Sequence, residues 1–277
     1  MEKTAFRNMM AVYLSALALC TGLRLFLKFQ IIDPFSGFYN GGAPAVWIFR
    51  GLLVIAIAFF LWNMLRQNTI TWYSAFYNDR PMNLTAVLLG FACFLYTTQV
   101  VGDILTQREV HPFNKVGNFF LAGLCVLTGI VFFIIGTGGL RANPREPSVF
   151  WLIIPVIWQA LLLIISFNHT TTLATVSDNV LVLLFLASYN IFLLGHARTM
   201  CNVGSLKGRN YAVPMGLSAS LLGFAAVIPD TLWLLLTQRP LSSGLFGKWG
   251  SLLIFAMSLY ALCFTVALRR SVARELG

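Results

Sequence analysis

The sequence has few charged residues and few of the side-chain patterns that carry enzyme chemistry. Only 10% of its 277 residues are charged, against roughly 25% in a typical soluble domain. It has no glycine-rich phosphate-binding loop, no histidine and glutamate motif of a metalloenzyme, and no nucleophile with a neighbouring base. These absences argue against an ATP-driven pump and a hydrolase, and they predict neither catalytic residues nor a cofactor.

Cysteine and histidine are also scarce, and neither is clustered. Four of the five cysteines fall inside apolar segments, where a thiol behaves as a small hydrophobe. The exception is Cys201, so a disulfide framework is not expected. The three histidines lie far apart, and none is spaced i, i+3 or i+4 from another ligand type, so no metal site is predicted. They are His111, His169 and His196, each assigned to a loop or to the end of a span.

Long apolar runs dominate what is present. Hydrophobic residues make up 58% of the chain and the mean hydropathy is +0.79, so lipid is the expected solvent. A spanning helix needs about 20 apolar residues, and the runs show no period-2 polarity of a β-barrel. The sequence therefore predicts an all-α polytopic integral membrane protein, a bundle of about eight transmembrane helices. The spans are near 9–28, 45–65, 84–106, 117–137, 149–167, 178–197, 212–236 and 250–268, in one domain over 1–277 without a soluble domain.

The distribution of the 19 Lys and Arg residues predicts the orientation. Twelve fall on one side of the eight spans and four or five on the other, which is the asymmetry of the positive-inside rule. Both termini are therefore expected in the cytoplasm. The twelve are Lys3, Arg7, Arg66, Arg80, Arg141, Arg145, Arg198, Lys207, Arg209, Arg269, Arg270 and Arg274. The outer group is Arg108, Lys115, Arg239 and Lys248, with Lys28 at its edge.

An alternative interpretation concerns the first span. Ala16-Leu17-Ala18 matches the small-residue pattern of a signal-peptide cleavage site. Cleavage there would leave seven spans with the start outside. The apolar run continues to Leu27, as expected for a membrane anchor, so eight spans are favoured.

The net charge of +10 suits a basic cytoplasmic surface against anionic headgroups. Membrane lipids are the first expected partner, followed by a small polar solute and other membrane proteins. A nucleic acid is not expected, because the chain has no room for a basic domain. The compact, loop-poor architecture is typical of the cytoplasmic membrane of a bacterium.

Four charged residues inside the spans are the strongest functional indication. A charge at the bilayer centre costs roughly 2.5 to 3.5 kcal/mol on the insertion scale, so such residues normally face the bundle interior or pair with one another. They are Arg24, Arg50, Asp103 and Asp230. With the topology above, all four lie in the outer half of the bilayer.

Polar and small residues extend this pattern. Tyr96 and Gln99 share a helical face with Asp103, at i, i+3 and i+7. Arg24 shares a face with Lys28 at i, i+4. Span seven carries small residues that permit close helix packing, and a proline directly precedes its aspartate. These residues are Gly216, Ala219, Ser220, Gly223 and Pro229.

Two hypotheses account for the intramembrane charges. In the first, an outward-facing charged cavity binds or transports a small polar or zwitterionic solute or a lipid headgroup; arginines take a carboxylate or phosphate and aspartates an amine. Its candidate ligand-binding residues are Arg24, Arg50, Tyr96, Gln99, Asp103 and Asp230. In the second, the same charges are structural ion pairs in a membrane subunit that serves assembly or interaction.

An intramembrane aspartyl protease is a remote third hypothesis. Such enzymes use two aspartates and a Gly-x-Gly-Asp motif, and Gly102-Asp103 with Asp230 invites the comparison. Val100 occupies the first glycine position, and two arginines balance the two aspartates. Ionised, paired aspartates cannot share a proton as a dyad must, so the chain is not expected to be an enzyme.

Overall fold

The computed structural model describes residues 2–31, 44–66, 79–106, 115–140, 148–172, 177–201, 211–237 and 247–275. These ranges contain eight α-helices and no strand, which confirms the all-α prediction. Each predicted span overlaps one helix. The helices are α1 (Glu2–Gln30), α2 (Pro44–Arg66), α3 (Arg80–Leu105), α4 (Lys115–Gly139), α5 (Val149–Thr172), α6 (Ser177–Met200), α7 (Ala212–Thr237) and α8 (Gly247–Glu275).

All eight helices are long and apolar enough to cross a bilayer. Their apolar stretches run from 19 to 26 residues, with mean hydropathy from 1.8 to 2.6. At about 1.5 Å of rise per residue, even the shortest of them approaches the thickness of the hydrocarbon core. The architecture is that of a multi-pass membrane bundle.

Six of the helices form a closed ring. In this ring α3 packs against α4, α4 against α5, α5 against α6, α6 against α7, α7 against α8, and α8 against α3. The remaining helices, α1 and α2, pack against each other and against α7. The ring therefore has an interior lined by six helices, and α1 and α2 lie outside it.

Small residues allow the helices of the ring to approach closely. A Cβ atom added to Gly136 of α4 would lie 2.6 Å from the Asn83 carbonyl oxygen of α3, and one added to Gly90 would lie 2.8 Å from the Gly129 carbonyl oxygen. On α7, a Cβ atom at Gly216 would lie 2.5 Å from the Thr265 hydroxyl of α8. The close packing predicted for the small residues of span seven is confirmed at this position.

Contacts between helices show which of them run parallel and which antiparallel, and these directions agree with spans that alternate across the membrane. Gly216 of α7 faces Thr265 of α8 and Gly223 faces Ser258, so these two helices are antiparallel. The Tyr13 hydroxyl of α1 lies 2.7 Å from the Ser220 hydroxyl of α7.

Ten residues further along α7, Asp230 contacts Lys28 of α1, so α1 and α7 are parallel. The ends of α1, α3 and α7 and the starts of α2 and α8 therefore share one end of the bundle. Below it is called the predicted outer end.

Candidate functional site

An ion pair joins α1 to α7 at the predicted outer end. Lys28 Nζ donates a hydrogen bond to Asp230 Oδ1. The two partners differ in accessibility: the Lys28 side chain is 1% exposed, and the Asp230 side chain is 35% exposed. The pair therefore has a buried cationic side and a carboxylate that can be reached from outside the protein.

Arg24 lies one helical turn before Lys28 and is buried as well. Its guanidinium carbon is 5.6 Å from the centroid of the Phe49 ring on α2. A guanidinium over an aromatic face is stabilised by the ring quadrupole, and more strongly where water is excluded. Two cations of α1 are thus enclosed between α2 and α7, at the junction where α1 and α2 join the ring.

Arg50 occupies a different environment on α2. Its side chain is exposed, and its guanidinium carbon lies 5.3 Å from the centroid of the Trp47 ring one turn earlier. Arg50 therefore lies on the exposed surface of α2, against a side chain of the same helix. A long basic side chain near the end of a spanning helix reaches the interface in this way.

The three predicted residues of α3 form a separate group. Gln99 Oε1 accepts a hydrogen bond from the Trp249 backbone N–H at 2.9 Å. Trp249 lies in the first turn of α8, where backbone N–H groups have no intrahelical acceptor. Tyr96 is buried one turn deeper, and Asp103 is half-buried in the last turn of α3. Gln99 of α3 thus caps the N-terminus of α8.

The predicted residues therefore fall into two sets at the same end of the bundle. Arg24, Arg50 and Asp230 lie on α1, α2 and α7, together with Lys28, which the predicted site did not include. Tyr96, Gln99 and Asp103 lie on α3, and α8 packs between α3 and α7. The i, i+4 spacing of Arg24 and Lys28 was the sequence signal that could have added Lys28 to the site.

The two aspartates of the spans lie on different helices and have different neighbours. Asp230 pairs with Lys28, and Asp103 lies on α3, which packs against α4 and α8. A dyad requires two carboxyl groups that share one proton, whereas the Asp230 carboxylate accepts a hydrogen bond from Lys28.

A second polar group lies inside the ring and was not predicted. His196 Nε2 of α6 and the Tyr260 hydroxyl of α8 are 2.7 Å apart, and both residues are buried. The Phe264 ring centroid is 4.6 Å from that of His196, and the Phe132 centroid is 5.0 Å from that of Tyr260. With Phe192 of α6, whose ring centroid is 5.9 Å from that of His196, the pair is enclosed by aromatic rings of α4, α6 and α8.

The sequence signal for this group is a face of α6. Phe185, Tyr189, Phe192 and His196 are spaced i, i+4, i+7 and i+11, as residues on one side of a helix are. All four are buried. The span predicted over 178–197 places His196 near its end, whereas α6 continues to Met200.

Further polar atoms are buried near the middle of the ring helices. Gln159 Nε2 of α5 donates a hydrogen bond to the Leu186 carbonyl oxygen of α6 at 3.3 Å. Four atoms in this region have no hydrogen-bond partner among the described residues. They are Thr128 Oγ1, Trp158 Nε1, Gln159 Oε1 and the Tyr189 hydroxyl oxygen.

The described residues offer no cluster for a metal ion, since no three His, Cys, Asp or Glu side chains lie together there. The Cys125 thiol of α4 donates a hydrogen bond to the Cys93 carbonyl oxygen of α3, with a distance of 3.5 Å. This contact adds to the close α3 and α4 packing at Gly90 and Gly129.

Comparison of the chain with protein-family models, with curated proteins and with solved structures gives no match.

Proposed function

We propose that the protein binds an anionic or zwitterionic polar group, that of a small solute or of a lipid headgroup, at the predicted outer end where α1, α2 and α7 meet. The observation that carries the proposal is the Lys28–Asp230 ion pair, with its buried cation and its partly exposed carboxylate. Arg24 supplies a second buried cation one turn away.

The chemistry of these side chains fits such a ligand. A guanidinium and an ammonium group together recognise phosphate or carboxylate oxygens, and Arg offers these oxygens two parallel donors. A ligand amine would in turn contact the accessible carboxylate of Asp230. A ligand that replaces one partner of the ion pair must gain more free energy on binding than the protein loses with its own pair. Replacement is easier at Asp230, because this side of the pair is exposed.

The location supports access from the membrane as well as from water. Since α1 and α2 lie outside the ring, their junction with α7 borders lipid. Both helices carry large exposed apolar side chains, including Leu19 and Phe26 of α1 and Trp47 of α2. A ligand with a polar head and an apolar tail could place its head at Arg24 and Lys28 and its tail along these side chains.

A structural role is the second candidate, and a specific contact favours it. The Tyr13 and Ser220 hydroxyl groups form another hydrogen bond between α1 and α7. Two polar contacts along one helix pair can fix how α1 docks on the ring. In that case, the ion pair holds the bundle together and takes no ligand.

Thermal unfolding of the detergent-purified protein distinguishes the two candidates. The panel consists of amino acids, organic acids, polyamines, sugars and lipids with phosphate headgroups. A ligand that binds only the folded protein at 100 times its Kd stabilises it by about 2.7 kcal/mol. Arg7→Gln is the matched control, because Arg7 is an exposed cation at the opposite end of α1.

If the junction binds a ligand, one compound class should raise the unfolding temperature of the wild type and of Arg7→Gln. The same compounds should raise that of Arg24→Gln by less than half as much. If no compound raises the unfolding temperature of the wild type, the binding proposal is wrong and the structural role is supported.

A further inference from the structure

Arg50 places a positive charge on a surface of α2 that α1 and α7 leave exposed. It shares one helical face with Trp47 and Val54, at spacings i, i+3 and i+7. All three side chains are exposed, Trp47 by 67% and Val54 by 66%. Because α2 is long and apolar enough to span the membrane, an exposed face of this helix borders lipid. The arginine of this face therefore meets lipid molecules.

The Arg50 side chain points toward the headgroups at the predicted outer end. Its Cα atom lies six residues after Pro44, or about 9 Å along the axis from the start of α2. Side chains of a helix tilt toward its N-terminus, and the guanidinium carbon lies 5.3 Å from the centroid of the Trp47 ring, one turn nearer that end. Tryptophan is enriched at membrane interfaces. The guanidinium thus extends out of the hydrocarbon region toward the phosphate groups of that leaflet.

Arg50 has no acidic partner among the described residues, where the ion pair joins Lys28 to Asp230. The helix α2 itself contains neither Asp nor Glu. Phosphate oxygens match the parallel N–H donors of a guanidinium. The dipole of α2 adds to this preference, because its positive end is the N-terminal turn beside Trp47. Since α2 offers no carboxylate to a ligand amine, a headgroup with a net negative charge is favoured over a zwitterionic one.

We propose that Trp47, Arg50 and Val54 form a binding site for an anionic phospholipid on the exposed face of α2. Arg50 binds the phosphate oxygens, Trp47 lies beside the glycerol region, and an acyl chain runs along Val54 toward the membrane centre. A basic side chain near the membrane surface raises the affinity for anionic lipid by about fivefold. Phosphatidylglycerol has the required chemistry, a phosphate without an amine.

This site is separate from the junction of α1, α2 and α7. Phe49, which contacts the Arg24 guanidinium, is buried, whereas Arg50 is exposed. Successive residues of a helix are about 100° apart around its axis. The guanidinium groups of Arg24 and Arg50 therefore lie on different sides of α2.

Quenching of Trp47 fluorescence by brominated lipids tests the proposal. The protein is reconstituted into phosphatidylcholine liposomes with increasing fractions of phosphatidylglycerol or phosphatidylcholine brominated on the acyl chains. The chain has seven tryptophans, so the Trp47 signal is taken as the difference between each protein and its Trp47→Phe counterpart. The ratio of the two quenching affinities measures the preference for the anionic lipid. We expect a preference of about fivefold in the wild type and none in Arg50→Gln.

Two variants serve as controls. Arg50→Lys keeps the charge but loses the two parallel donors, so it should retain about half of the wild-type preference. Arg7→Gln removes another exposed cation, at the opposite end of α1, and should retain all of it. Because Arg50 is exposed, Arg50→Gln is expected to fold, and its unfolding temperature checks this.

Equal quenching of Trp47 by the two brominated lipids in the wild type would overturn the proposal. An undiminished preference in folded Arg50→Gln would do the same. If neither lipid quenches Trp47, another protein or a second copy of this chain covers the face, and the proposal is also wrong. Arg24→Gln separates this site from the proposed function, because it should keep the wild-type preference at Trp47 whether or not the junction binds a ligand.

Discussion

Breaking the Lys28–Asp230 ion pair from its two sides is expected to have unequal costs. Asp230→Asn leaves the ammonium group of Lys28 buried beside an uncharged amide, and removal of one partner of a buried pair typically costs about 3 to 5 kcal/mol. Lys28→Met removes the buried charge and keeps a chain of similar length. The Asp230 carboxylate that remains is 35% exposed and retains hydration, so we expect a cost of about 1 kcal/mol, as for a partly exposed pair.

The double variant Lys28→Met/Asp230→Asn should be closer in stability to Lys28→Met than to Asp230→Asn, since it leaves no buried charge. The resulting coupling energy is about 2 to 5 kcal/mol in magnitude, at or above the upper end of the range of about 0.5 to 3 kcal/mol found for contacting residues. Unfolding in mixed micelles with increasing SDS, followed by tryptophan fluorescence, gives the four free energies of a double-mutant cycle. Equal costs for the two single variants, or a coupling energy of zero, would refute the asymmetric burial on which the binding proposal depends.

Three further predictions concern packing and hydrogen bonds, all read from the same unfolding assay. Gly136→Ala should destabilise the protein by about 1 to 3 kcal/mol through overpacking, because its Cβ atom would lie 2.6 Å from a backbone oxygen; Gly22→Ala, with nothing within 4 Å of its Cβ position, should be neutral or stabilising by up to about 1 kcal/mol, and equal costs at the two glycines would contradict the close packing. Tyr13→Phe should cost about 1 kcal/mol for its lost hydrogen bond to Ser220; a variant as stable as the wild type would argue against that contact. Tyr260→Phe should cost about 1 to 3 kcal/mol, because it also leaves a buried imidazole nitrogen without its partner, and a smaller loss than that of Tyr13→Phe would speak against the buried pair.

The helices could be predicted from the sequence because run length alone carries the information. The span predicted over 212–236 is the helix Ala212–Thr237, and that over 117–137 lies within Lys115–Gly139. A bilayer admits few structures other than helices that satisfy their own backbone. The polar ends of the helices are harder to place, since α5 extends to Thr172, five residues past the predicted end of its span.

Partners across the bundle could not be predicted in the same way. Lys28 and Asp230 are 202 residues apart in sequence, and no local pattern specifies which helices become neighbours. Depth was predictable by counting, so both were expected toward the outer end. That α8 lies between α3 and α7, and so separates Asp103 from the helix pair that carries Lys28 and Asp230, depends on packing between helices that the periodicity of any one span does not encode.

The interior pair was missed for a different physical reason. His196 was assigned to the end of span six because that span was predicted over 178–197. Its burial depends on α6 continuing for another turn and on the aromatic rings of α4 and α8 closing around it. The regular spacing from Phe185 to His196 was the available signal.

The most direct test of the proposed function is native mass spectrometry of the purified protein titrated with phosphatidylglycerol, phosphatidylethanolamine and the solutes that raise its unfolding temperature. We expect one bound molecule per chain in the wild type and in Arg7→Gln, and at least a threefold lower occupancy in Arg24→Gln. Equal occupancy in Arg24→Gln and the wild type, or no retained ligand in any of them, would contradict a binding site at the junction of α1, α2 and α7.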